Sequence, residues 1–91
     1  MEIFEKTPEA KLDYVIDWSN WLPTGYTIAT STWTVGADLT NEIDSLASPQ
    51  TTILLSGGVE GVSYIVKNTI TTSGGTPLID SRVFKILVTT K

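Results

Sequence analysis

Ninety-one residues make one domain with a thin core, because a chain of this size hides only about 60–65% of the surface its unfolded form exposes. The chain contains neither Cys nor His. This excludes disulfide staples and thiolate nucleophiles, and removes the commonest general base and the commonest transition-metal ligand. With a net charge of −4 and six basic residues scattered along the chain, no phosphate-tracking surface for nucleic acid is expected.

The first residues, Met1-Glu2-Ile3-Phe4-Glu5-Lys6, show no period and no apolar h-region, so neither a signal peptide nor secretion is indicated. Residues 1–10 read as an extended N-terminal arm, with Thr7-Pro8 biased away from helix. Ile3 and Phe4 are apolar within it. They either pack on the domain's own edge or dock on a neighbouring subunit. The domain proper is expected over residues 11–91.

From Lys11 the pattern alternates. Leu12, Tyr14, Ile16 and Trp18 share one face, and Asp13, Val15 and Asp17 the other, as in a half-buried strand. Leu22-Pro23-Thr24-Gly25 is a turn, since Pro presets φ and Gly accepts positive φ. The next strand, Thr27 to Val35, keeps Ala29, Ser31 and Trp33 in phase but not Ile28, which predicts a bulge at Ile28-Ala29. Apolar residues at 39, 43 and 46 suit either a strand or a short helix.

Thr51 to Ser56 is a strand ended by Gly57-Gly58. Val62 to Thr72 is the longest strand candidate, with Tyr64, Val66, Asn68 and Ile70 on one face. Ser73-Gly74-Gly75-Thr76-Pro77 is a hairpin connection, and Ser81 to Thr89 is the last strand. No apolar run is long enough to cross a membrane. Ser and Thr supply much of the polar surface, which suits solvent-facing strand positions.

The fold class is therefore all-β, a sandwich of six or seven strands. Tyr64, early in a long strand after the Gly61 turn and two residues before Val66, is placed like the tyrosine corner of an immunoglobulin-like sandwich. Another small sandwich or barrel comes next. Trp18 and Trp33 are expected in the core. Trp21 and Tyr26 flank a turn and are candidates for a partner interface or for stacking on a sugar.

Chemistry is poorly supported. Asp13 and Asp17 would stand roughly 13 Å apart along a strand, beyond the 5–9.5 Å or so of glycosidase carboxylates. Asp38, Glu42 and Asp44 match no calcium loop and read as a solvated rim. Gly57-Gly58 and Gly74-Gly75 lack the Lys-Ser/Thr of a phosphate-cradling loop. No enzyme activity, cofactor or metal is expected.

Several ordered motifs carry a resemblance. They are Lys6 to Tyr14, Asp17-Trp18-Ser19-Asn20-Trp21-Leu22, Gly25 to Ile28 and Ser31 to Val35, followed by Leu55 to Tyr64, Asn68 to Gly75 and Arg82 to Val88. Over nearly its whole length the chain resembles a family of small bacteriophage structural proteins with an immunoglobulin-like fold, the fibre-tail adaptor or head–tail-associated proteins.

The resemblance implies a virion component, made in the host cytoplasm, that links fibres to the tail or baseplate. Its partners would be a tail tube or baseplate protein and a fibre, with no nucleic acid or membrane, in several copies set by the tail's symmetry. A head–tail connector or decoration protein is the alternative, and a carbohydrate-binding module a more distant one. The chain departs from the family pattern at Tyr26, where an acidic residue is usual, and at the apolar Thr76-Pro77-Leu78-Ile79. Leu78 and Ile79 are thus a further candidate contact patch. The final strand, Arg82 to Thr89, is expected as an open edge that a partner strand could join.

Overall fold

The computed structural model describes residues 2–74 and 76–89. Gly75, one of the expected hairpin glycines, and residues 1, 90 and 91, at the limits of the expected arm and domain, lie outside them. Among the described residues the elements are all strands: β1 Glu2–Lys6, β2 Leu12–Asp17, β3 Thr27–Thr34, β4 Leu39–Ala47, β5 Gln50–Gly57, β6 Ser63–Ser73 and β7 Ile79–Val88. They form two sheets, β1-β7-β6-β3 and β2-β5-β4, packed as a sandwich. β7, β6 and β3 together, facing β2, β5 and β4, are consistent with the immunoglobulin arrangement. The first strand joins the last.

That first strand is where the structure departs most from the sequence reading. Glu2–Lys6, expected in an arm, pairs in parallel with Phe84–Val88. Phe4 points inward, its ring 5.1 Å from that of Tyr14 and 5.4 Å from that of Phe84. Ile3, one residue away, points outward and is exposed. The alternation is hidden in the sequence because the next inward position is Lys6, a charged residue that is buried nearly completely. Its ammonium group donates to the carbonyls of Thr7 and Gly57, so the charge is hydrogen-bonded.

β1 also corrects the expected open edge. β7 lies between β1 and β6, and only its first half, Ile79–Val83, lacks β1 beside it. The sheet edges are β1 and β3 in one sheet and β2 and β4 in the other.

Elsewhere the periodicities hold. The bulge falls between Ile28 and Thr30, so Ile28 is buried and Trp33 still packs inward on the core cluster. The segment 39–47 is a strand, with a register shift between Asn41 and Ile43. That shift accounts for its helix-like spacing: Leu39 and Leu46 lie on the inward face and Ile43 on the outward one.

The main core gathers Tyr14, Leu39, Ile53, Leu55, Tyr64, Val66, Phe84, Ile86 and Val88. The hydroxyl of Tyr64 accepts from the amide of Val59 at 2.8 Å and donates to Asp38 at 3.1 Å. A hydroxyl bonded to upstream backbone in this way is consistent with a tyrosine corner. Trp33 is only half-buried, and the fully buried tryptophan is Trp18.

Candidate partner interface

One end of the sandwich is assembled from three loops. Trp18, at the end of β2, roots it. Its indole is fully buried with Ile28 and Ile70, and its Nε1 donates to Oδ1 of Asn68 at 3.1 Å. The same oxygen accepts from Thr51 at 2.7 Å, while Nδ2 of Asn68 donates to Ser31 and to the carbonyl of Thr32. A buried polar network with its members paired fixes one arrangement of its neighbours. On the outer side the Arg82 guanidinium lies 4.4 Å from the indole centroid and donates to the carbonyl of Asp17, a cation–π contact backed by a hydrogen bond.

Around this root the loops are tied together. The amide of Trp18 donates to the carbonyl of Pro49, and that of Ile28 to the Ser48 hydroxyl, so the β4–β5 turn is tucked against the β2–β3 turn. The Thr27 and Ser73 hydroxyls are 2.6 Å apart. The backbone of Gly74 passes so close to Gly25 that a Cβ there would sit 3.7 Å from the Gly25 carbonyl. Leu78 is held by two bonds to Thr72, one from its amide to the hydroxyl and one from the Thr72 amide to its carbonyl.

Four of the six residues singled out from the sequence lie at this end, on the β2–β3 connection and where the chain enters β7. Trp21 is half-buried, its ring edge-on to Trp18 at 5.5 Å. Tyr26 and Leu78 are half-buried, and Ile79 is 70% exposed. Ile3 is 63% exposed but stands apart from them on the outer face of the four-stranded sheet. Phe4 belongs to the core. Asn68 and Lys6 were not foreseen as organising residues. Asn68 left a signal, a polar residue on the apolar face of a long alternating strand, whereas Lys6 left none.

Electrostatics here is local. The Asp17 carboxylate accepts from the amide of Ser19 at 2.9 Å. That bond first, then the Ser19 hydroxyl, holds its pKa below the ordinary 3.8, with nearby Arg82 adding a smaller effect. Asp38, Glu42 and Asp44 each have other partners, in Tyr64, Ser56 and Asn41. Among the described residues no group of acidic side chains is placed to hold a metal.

A cleft of about 280 Å³ opens between β2 and the β1–β7 edge, walled by Phe4, Tyr14, Ile16, Arg82 and Phe84 among others. The buried Tyr14 hydroxyl has no hydrogen-bond partner, and burial raises its pKa.

An adaptor needs such loops presented on a rigid frame, and the sequence carries the matching signature. Residues 6–87 match the family described as "Podophage GP4 fiber-tail adaptor protein gp77". The chain belongs to this family. Its role is accordingly that of a structural adaptor of the phage tail fibre, in a virion-associated protein. Among curated proteins none matches the chain. Membership of the fibre-tail adaptor family implies interaction with tail fibre and tail proteins.

Proposed function

We propose that this fibre-tail adaptor works without catalysis, as a rigid sandwich whose Trp18-rooted end seats one of its two partners through Trp21, Tyr26, Leu78 and Ile79. The observation that carries this reading is that those four apolar side chains lie at one end, two on the β2–β3 connection and two where the β6–β7 connection enters β7, with these connections tied to one another. Trp and Tyr held half-open at low conformational cost are the usual anchors of a protein interface. An isoleucine as open as Ile79 adds apolar surface at the same end. The two departures from the family pattern, Tyr26 and the 76–79 segment, fall at this end too, which supports a role in choosing the partner.

The test is co-expression with the neighbouring tail and fibre proteins, followed by sizing of the complexes. Tyr26→Ala and Ile79→Asp should release one partner, leave the other bound, and keep the fold. Retention of both partners by both variants would overturn the assignment of this end. A wild-type complex with a tail component alone would instead make the protein a connector.

A further inference from the structure

The two outer faces of the sandwich carry opposite charge around apolar centres. On the four-stranded sheet, strand register puts Ile3, Lys85 and Ile65 in one row across β1, β7 and β6, with Val83 and Lys67 in the next. Ile3, Ile65 and Val83 are exposed, and the charges on this face are Lys67 and Lys85 against Glu5. On the three-stranded sheet, Asp13, Leu54 and Ile43 form one row, and Val15 with Thr52 the next. Asp17 closes β2 on the same side. Val15 is 53% and Ile43 65% exposed. The charges here are Asp13, Asp17 and Glu42, with Lys11 lying 4.0 Å from Glu42.

Thus a chain of net charge −4 keeps one broad face positive. It places the lysines among isoleucines and valine on that face, and carboxylates on both sides of Val15 on the opposite face. Lys67 and Lys85 lie diagonally across β6 and β7, about 7–8 Å apart. Asp13 and Asp17 flank Val15 on a similar scale, two residues to either side.

We infer that the lysine-bearing face of one copy docks on the carboxylate-bearing face of a second copy. The area is sufficient: the molecule is 46 Å long and 22 and 18 Å across, so a broad face offers about 800–1,000 Å², against the roughly 800 Å² per partner of a stable interface. Because the two surfaces differ, the contact is heterologous. Repeated, it closes into a ring or runs on as a filament, and a ring suits a part repeated about a tail axis. The apolar centres supply the buried area, and the charges set orientation and exclude face-on-like-face pairing. This inference does not depend on which partner the loop end seats.

A charge swap tests it. Lys67→Glu with Lys85→Glu makes both faces acidic, and Asp13→Lys with Glu42→Lys makes both basic. Sedimentation of the wild-type chain at low salt over a concentration series should show assemblies larger than a monomer. Each double variant alone should associate at least tenfold more weakly, and an equimolar mixture of the two should associate again, in alternation. A monomeric wild type would overturn the proposal. So would variants that each assemble as well as the wild type, or a mixture that stays dissociated while both variants keep the wild-type thermal midpoint. Salt is an independent readout that needs no variant: wild-type association should weaken several-fold as ionic strength rises and the Debye length shrinks, and a salt-insensitive assembly would sink the charge argument.

Discussion

The two ends of the sandwich are built to opposite specifications. At the Tyr64 end, the backbone of Gly58 lies hard against side chains: a Cβ on Gly58 would lie 2.7 Å from Cγ2 of Val88 and 3.3 Å from Leu39, and Gly58 has φ +101°. Lys6 and the Tyr64 hydroxyl stitch that end's loops to one another. At the Trp18 end, Gly25 also has positive φ, yet a Cβ there meets nothing within 4 Å. The half-buried Trp21 packs on a deeply anchored indole, and Tyr26 and Leu78 are half-buried in the loops of the same end. One end fixes the fold, and the other has a fixed root with open tips, the arrangement under which loop sequence can change while the frame stays the same.

Substitutions at both ends test this contrast. The largest effect is expected at the root of the open end: Trp18→Ala should cost about 3–5 kcal/mol, enough to unfold much of a domain whose stability is typically about 5–15 kcal/mol. Chemical denaturation measures it, and an unchanged midpoint would mean the root is not structural. Gly58→Ala follows, at about 2–4 kcal/mol, since it combines a steric overlap with an unfavourable backbone conformation.

Tyr64→Phe should cost about 1–2 kcal/mol by leaving the Val59 amide unpaired. The same denaturation series should show Gly25→Ala costing about 1 kcal/mol, from backbone strain alone. If the two glycine variants proved equal, the ends would not differ as described.

The smallest effect is on acid stability. The Asp17 pKa is depressed in the folded state, so its contribution is present above the ordinary carboxylate value and is lost as pH falls through the folded one. Asp17→Asn should therefore lower the melting temperature at neutral pH, with the gap to the wild type narrowing in acid. A gap that did not change with pH would assign the loss to packing.

Much of this frame was legible in the sequence because its signals are local. The phase break at Ile28-Ala29 announced a bulge, and the glycine-to-tyrosine spacing at Gly61 and Tyr64 pointed to the hydroxyl-to-backbone bond that Tyr64 makes. The Pro23–Gly25 turn closes through the Tyr26 amide and the Pro23 carbonyl, as expected. What stayed hidden depends on partners distant in the chain. β1 is only five residues long, and Lys6 sits where an apolar residue would have revealed its phase. The spacing of Leu39, Ile43 and Leu46 imitated a helix because the added residue at Glu42 rotates half the strand. Of the interface candidates, Ile79, read from the sequence as part of a loop, opens β7 and is exposed. The separation of Ile3 from the other candidates required knowing that β1 lies beside β7.

The parallel pairing of β1 with β7 has a mechanical consequence. Pulled in opposite directions from Glu2 and Val88, the two strands would be sheared lengthwise, so that the rungs from Glu2–Phe84 to Lys6–Val88 strain together. The β4–β5 hairpin, drawn apart at its open end, would instead unzip one rung at a time. The protein should therefore hold under tension along the β1–β7 axis at forces that would open a hairpin. Single-molecule extension from residues 2 and 88, compared with extension from residues 39 and 57, would show this as a higher rupture force for the first pair, and equal forces would refute it.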